Sequence, residues 1–213
     1  MKKIIVLVMF PIWLMGQAKG VQQIVNPDGK WYFGAELGAN DIRSYSYVVG
    51  KTSLQGGLSA EYYTGRHWSL SLRVKYFDTG ISYLKYDNYL INSDGNRIQR
   101  FDGSVICYPL NVKWEFRIMK NLCGFLKTGI AYNQEVRRNY DFGEDRTDYR
   151  QTYYNYNNGM GFTYFISEHM AASIEVENYQ LGGNKGNDGW LFVPVANMNN
   201  TLYNMGFKYH FNE

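Results

Sequence analysis

His67-Trp68-Ser69 sets an imidazole and a hydroxyl two residues apart, a spacing that puts both on one face of an extended strand. A serine nucleophile needs its base within hydrogen-bond reach and a third group to orient that base. His67 and Ser69 are therefore the candidate catalytic dyad, sharing the polar face of their strand beside the turn Thr64-Gly65-Arg66. The other titratable groups give less. His169 falls in a turn and is expected to be solvated, and His210 is expected on the interior face, bonded to a carboxylate. None of the three histidines has a metal-site spacing to Cys or another His. Asp141, Glu144, Asp145 and Asp148, with Arg146 and Arg150 among them, lack the spacing of an EF-hand loop and read as a solvated mixed-charge loop. Cys107 and Cys123 sit on two strands of one hairpin, roughly eight residues or ~26 Å of rise apart, too far for a disulfide. They read as interior packing residues. No metal and no cofactor is expected.

These residues must be held by strands, because the dominant pattern after Gly29 is alternation with a period of two. It is clearest in WSLSLRVKY, where Trp68, Leu70, Leu72, Val74 and Tyr76 oppose Ser69, Ser71, Arg73 and Lys75. Seven further stretches repeat it, beginning near Trp31, Gly57, Tyr108, Leu122, Tyr154, Met170 and Tyr203. Tight turns near Thr64–Arg66, Met119–Asn121 and Ser167–Glu168 alternate with long polar stretches at 40–53, 78–104, 133–151 and 180–199. The stretch at 78–104 alternates well enough to extend as a hairpin turning at Asp94-Gly95-Asn96. Short turns on one side and long loops on the other predict an all-β fold, an eight-stranded antiparallel up-and-down transmembrane β-barrel. Both ends of the barrel segment fall on the short-turn, periplasmic side.

Which face points inward follows from what each carries. The apolar faces place Trp31, Trp68, Trp114, Phe116, Tyr164, Tyr209 and Phe211 on the turn side, an aromatic girdle suited to a headgroup boundary. The polar faces hold Glu36, Glu61, Glu115, Glu175 and Glu177 against Arg73, Lys75, Lys113, Lys127 and Lys208. Eight strands leave an interior just wide enough for side chains, so a paired network of these groups would fill the lumen and leave no open pore. Trp190, Leu191, Phe192 and Val193 form an apolar patch in the last long loop, a possible contact for an envelope partner. A soluble lipocalin-like binding barrel is the alternative reading of the alternation, with Gly29-Lys30-Trp31 and Thr147-Asp148-Tyr149 as its hooks.

The chain's first residues add an address. Lys2 and Lys3 precede an apolar run from Ile4 to Met15, followed by the small residues Gly16 and Ala18. Residues 1–18 therefore read as a signal peptide, 19–29 as a periplasmic lead and 30–213 as the barrel. The run is too short for a membrane-spanning helix. The net charge of +3 falls once Lys2 and Lys3 are removed, and no basic stripe remains for nucleic acid. A charged share of 19% against 17% aromatic excludes a disordered solvating chain.

CYPLNVKWEF, a short turn and then LKTGIAY resemble a strand pair of the outer-membrane β-barrel domain proteins common in Bacteroidetes. That family is related in architecture to the OmpA and OmpX barrels and includes PorT-like members. Pro109, Leu110, Val112, Lys113, Trp114, Phe116 and Gly129 carry the likeness. Tyr203, Met205, Phe207, Tyr209 and Phe211 resemble the C-terminal strand signal read by barrel-assembly machinery, with Asn212 and Glu213 following. The resemblance implies an outer-membrane location, contact with outer-membrane lipid, assembly by that machinery, and no active site. His67-Trp68-Ser69 also resembles the His and Ser of lipid A deacylase barrels of the PagL type. A lipid A-modifying hydrolase is thus a second alternative, although such an enzyme needs its site at the outer leaflet rather than beside a periplasmic turn. The expected function is a non-enzymatic small outer-membrane barrel with a side-chain-filled lumen and a structural or interaction role.

Overall fold

Alternating side chains satisfy two environments only if each strand lies between them, and backbone polar groups at such a boundary must be paired strand to strand. The computed structural model describes residues 24–44, 50–79, 90–91, 97–98, 101–140, 152–181 and 198–211. Ten strands occur among them: β1 (Trp31–Ser44), β2 (Gly50–Tyr63), β3 (Trp68–Asp78), β4 (Leu90–Ile91), β5 (Arg97–Ile98), β6 (Phe101–Arg117), β7 (Leu122–Tyr140), β8 (Thr152–Phe165), β9 (Met170–Leu181) and β10 (Met198–Tyr209). Eight of them close into an antiparallel barrel in the order β1-β10-β9-β8-β7-β6-β3-β2. Closure comes from β1 pairing with β10, from Phe33 opposite Tyr209 to Ser44 opposite Met198, so no sheet edge remains. No described helix is long and apolar enough to cross a membrane, which does not bear on crossing by strands.

The short turns are tied to one another as well as closed on themselves. Thr64 N donates to Trp68 O (3.0 Å), Ile118 N to Leu122 O (2.9 Å) and Ile166 N to Met170 O (2.9 Å). Between hairpins, Glu115 N donates to His67 O (2.7 Å), Phe165 N to Asn121 O (2.9 Å) and His210 N to His169 O (2.7 Å). The turn end of the barrel is thus a hydrogen-bonded ring.

At the other end the strands run further than the alternation of apolar residues suggests. The β1–β2 ladder continues to Arg43 opposite Gly50, and the β6–β7 ladder to Phe101 opposite Tyr140. Much of 40–53 and 133–140, expected as loop, is strand. There the outward residues are polar too, for example Asp41, Thr52 and Gln134, so the pairing persists while the apolar signal of period two fades. In the second loop, expected to extend the barrel strands as a hairpin, Leu90 opposite Ile98 and Ile91 opposite Arg97 form a two-stranded sheet separate from the barrel. The expected turn at 94–96, the segment 1–18 read as a signal peptide, the acidic stretch at 141–151 and the Trp190–Val193 patch lie outside the described residues.

The barrel is inverted relative to a water-soluble one. Leu58, Leu70, Leu72, Val74, Leu110, Val112, Ile130 and Ile174 are exposed on the outside, while six glutamates (Glu135 among them), four lysines and Arg73 are buried within. A lipocalin-like barrel keeps its apolar face inside, so that alternative does not fit.

Candidate functional site

Barrel order decides which interior side chains can meet. β3 and β9 stand four strands apart in either direction, directly across the lumen, and so do β6 and β10. Charges on these strands therefore reach each other only by spanning the interior.

The first cluster uses the β3–β9 diameter. Arg73 and Lys75 come from β3, Glu175 and Glu177 from β9, Glu36 from β1 and Lys127 from β7. Arg73 Nη1 lies 3.0 Å from Glu36 Oε2 and 3.0 Å from Glu177 Oε1, and its Nη2 donates to Glu175 Oε2 at 3.2 Å. Lys75 Nζ lies 2.6 Å from Glu36 Oε1 and also pairs with Glu177. Lys127 Nζ lies 2.9 Å from Glu175 Oε2 and pairs with Glu177 as well. Three cations thus face three carboxylates. Asn204 on β10 completes the shell, its Nδ2 donating at 3.0 Å to Glu175 Oε1 and at 3.0 Å to Glu177 Oε2, while Gln55 donates to its carbonyl. Room for these crossings comes partly from Gly159, where a Cβ would sit 2.9 Å from Lys127 Cε and 2.8 Å from Val176 O.

The second cluster lies nearer the turns on the β6–β10 diameter. Glu61 on β2 receives Lys113 at 2.6 Å from one side and Lys208 at 2.7 Å from the other. Lys113 also lies 2.5 Å from Glu115, and Tyr63 bridges the set, accepting from Lys208 (2.6 Å) and donating to Glu115 (3.0 Å). Two cations face two carboxylates. Below them is an aromatic floor. Lys113 Nζ stands 4.4 Å from the Phe125 ring centre, and Lys208 Nζ stands 4.9, 5.4 and 5.6 Å from those of Tyr63, Tyr32 and Phe165.

Apolar layers close both ends of this stack. On the turn side Val25, Tyr32, Tyr63, Cys123, Phe165 and Ala171 pack as one buried cluster. On the loop side Ile42, Phe77, Val105, Tyr179 and Leu202 are fully buried, with Phe77 and Tyr179 rings 5.4 Å apart. Above them the Asp78 carbonyl accepts from Asn40 Nδ2 (2.6 Å) and Asn200 Nδ2 (3.3 Å). Such a stack excludes water from the ion pairs, where pairing and hydrogen bonding together offset desolvation.

Chemistry at the other candidates is pre-empted. Ser69 is buried, and its Oγ donates to Glu61 Oε1 at 2.6 Å instead of to an imidazole. His67 lies in the turn before β3 and is exposed, its Nδ1 2.9 Å from the Glu115 carbonyl. The expected shared face fails because strand parity ends at Trp68, where the chain leaves the turn. His210 meets the Trp31 carbonyl at 2.8 Å, not the expected carboxylate, and stacks on His169 at 5.8 Å. Closure of β10 onto β1 sets a backbone oxygen beside that ring. Glu36, Glu175 and Glu177 are the one described carboxylate group compact enough for a metal ion. Their positive charge is already supplied by Arg73, Lys75 and Lys127. Cys107 and Cys123 are free and buried.

On the outside, Trp31, Trp68, Trp114, Phe116, Tyr209 and Phe211 are exposed at the turn end and Tyr164 is half-buried there. Their rings associate, with Trp31–Tyr62 and Tyr209–Phe211 centres 4.9 Å apart and Trp114–Phe116 5.2 Å. A second aromatic row was not read from the sequence. Tyr108, Tyr132 and Tyr154 stand in register across β6, β7 and β8, with centres 6.0 and 5.2 Å apart. Their period-two spacing was legible, but only cross-strand register aligns them at one height.

A family profile described as outer membrane protein β-barrel domain matches residues 14–211. No curated protein matches the chain in sequence. Among solved structures the chain is similar to Neisserial surface protein A, at 14% identity and a TM-score of 0.59, over 85% of this chain and 97% of that one. It is similar to OprG of Pseudomonas aeruginosa, at 14% identity and a TM-score of 0.53, over 90% and 100%. It is also similar to Ail of Yersinia pestis, solved with the heparin analogue sucrose octasulfate, at 12% identity and a TM-score of 0.52, over 86% and 99%. At these identities the likeness is one of fold.

Proposed function

Because the chain belongs to the outer membrane protein β-barrel domain family, we propose that it is a small non-enzymatic outer-membrane protein. Its lumen is occupied by its own side chains, and it acts structurally or by binding an envelope partner through its outer loops or its turns. The observation that carries this reading is the pair of charge-balanced ion clusters, one spanning the β3–β9 diameter and the other joining β6 to β10 through Glu61, capped by apolar layers at each end. A conducting pore needs a continuous wet path, which more strands would provide.

Residues 1–18 direct export, the outer face meets lipid, and the Trp/Phe and Tyr rows lie at the two headgroup boundaries. The β10 pattern ending at Phe211 is the segment offered to barrel-assembly machinery. Within the family, CYPLNVKWEF supports placement among the Bacteroidetes-type, PorT-like members. A lipid A hydrolase is not favoured, since Ser69 is held by Glu61 and shielded from substrate.

Reconstitution into planar bilayers tests the proposal. The purified protein is expected to leave the bilayer non-conducting apart from rare transients. Sustained currents of channel size would mean that the lumen is open, and the reading would be abandoned.

A further inference from the structure

The residues just before β1 enter the barrel instead of trailing away from it. Val25 is 1% exposed and packs with Tyr32, Tyr63, Cys123, Phe165 and Ala171, while its neighbour Ile24 is 60% exposed. Arg117 Nη2 donates to the Val25 carbonyl at 2.9 Å, and its Nη1 is fixed by the Lys120 carbonyl of the adjacent turn. Gly29, at φ +74°, turns the segment back, a conformation that favours glycine. From there Gly29 N donates to Tyr63 O (2.9 Å) and Tyr63 N to Lys30 O (3.1 Å), which joins the chain to the β1–β2 ladder.

Upstream of Gly29 the attachment is slight. Among the described residues, 24–28 hold the barrel by two buried residues, Val25 and Pro27, and one carbonyl–guanidinium bond. The other two bonds there, Lys30 N to Pro27 O and Asp28 N to Asn26 Oδ1, are internal to the segment. The eight-strand ladder is complete without it.

We propose that the turn-side mouth is a socket for an extended peptide bearing one aliphatic side chain, and that residues 24–28 are its resident occupant. They form a plug that withdraws about Gly29 while the barrel stays closed. The socket holds this segment by two features: an apolar pocket floored by Tyr32, Tyr63 and Phe165, and the Arg117 guanidinium, which takes a backbone carbonyl. This inference concerns the turn-side mouth alone and does not depend on whether the protein has a binding partner.

Two native thiols report on it. Cys123 lies under the plug, and Cys107 is fully buried on the far side of the Glu61 cluster. In refolded full-length protein, Val25→Gly is expected to raise the rate of Cys123 labelling by a small maleimide roughly tenfold or more, since burial of one valine is lost. Cys107 should stay unreactive. Arg117→Ala should raise the Cys123 rate by a smaller factor, and a synthetic peptide of residues 21–30 should slow labelling of the Val25→Gly protein. Equal Cys123 rates in wild type and both variants would overturn the proposal. So would Cys107 reacting in step with Cys123, because the barrel itself would then be opening. Failure of the peptide to protect would reduce the mouth to a covalently tethered cap and overturn the socket.

Discussion

At the scale of single residues, the interior is governed by charge balance. Each carboxylate of the two clusters has a cation within bonding distance, and Glu177 is shared among Arg73, Lys75 and Lys127. Removing one partner from such a set leaves a buried charge uncompensated, whereas removing a matched pair does not. Glu177→Gln is therefore expected to destabilise the barrel by about 3–5 kcal/mol. Combining it with Lys127→Met should recover more than half of that loss. Urea unfolding of the two single variants and the double variant in detergent measures the coupling. A double variant as unstable as the sum of the singles would mean that the two charges do not compensate each other.

At the scale of the element, each strand is a two-sided object whose outer face must meet something apolar. β3 shows it most plainly, with Leu72 53% exposed midway between Trp68 and Tyr76 and flanked by buried Ser71 and Arg73. If that face lies in hydrocarbon, Leu72→Arg costs about 2–4 kcal/mol in lipid. On a water-facing strand the same change is worth no more than about 0.5 kcal/mol. Folding titrations in lipid vesicles distinguish the two, and a negligible change would remove β3 from the bilayer. Inward glycines belong to this scale as well, since Gly159 leaves the path along which Lys127 reaches β9.

For the whole molecule, closure is the source of stability. With β1 bonded to β10 and the turn ring joined by hydrogen bonds, the barrel has no edge from which detergent can peel a strand. Unboiled protein in detergent gels is accordingly expected to migrate differently from boiled protein. Identical mobility before and after boiling would show that the purified chain had not formed the closed barrel.

The sequence by itself determined the strand count, the up-and-down order and the sidedness of every barrel strand. Period-two alternation is a local property, legible wherever one face is apolar and the other is not. For the same reason it lost the strand ends at 40–44 and 133–140, where outward residues such as Asp41, Arg43 and Gln134 are polar. The ten charges it placed on inward faces are buried, because a long charged side chain there has nowhere else to go, but it missed Glu135, which lies in a stretch read as loop. Which charge meets which was a matter for the tertiary structure. Arg73 and Glu175 are 102 residues apart and meet only because closure sets β3 opposite β9. Tyr63, Asn204 and Gln55 entered the network by that route too, since the sequence marks them as polar or aromatic without saying what they face. The dyad of His67 and Ser69 failed on a turn that parity does not foresee. The plug at Val25 had no signal at all, because one valine before a strand acquires its meaning only from the mouth it enters.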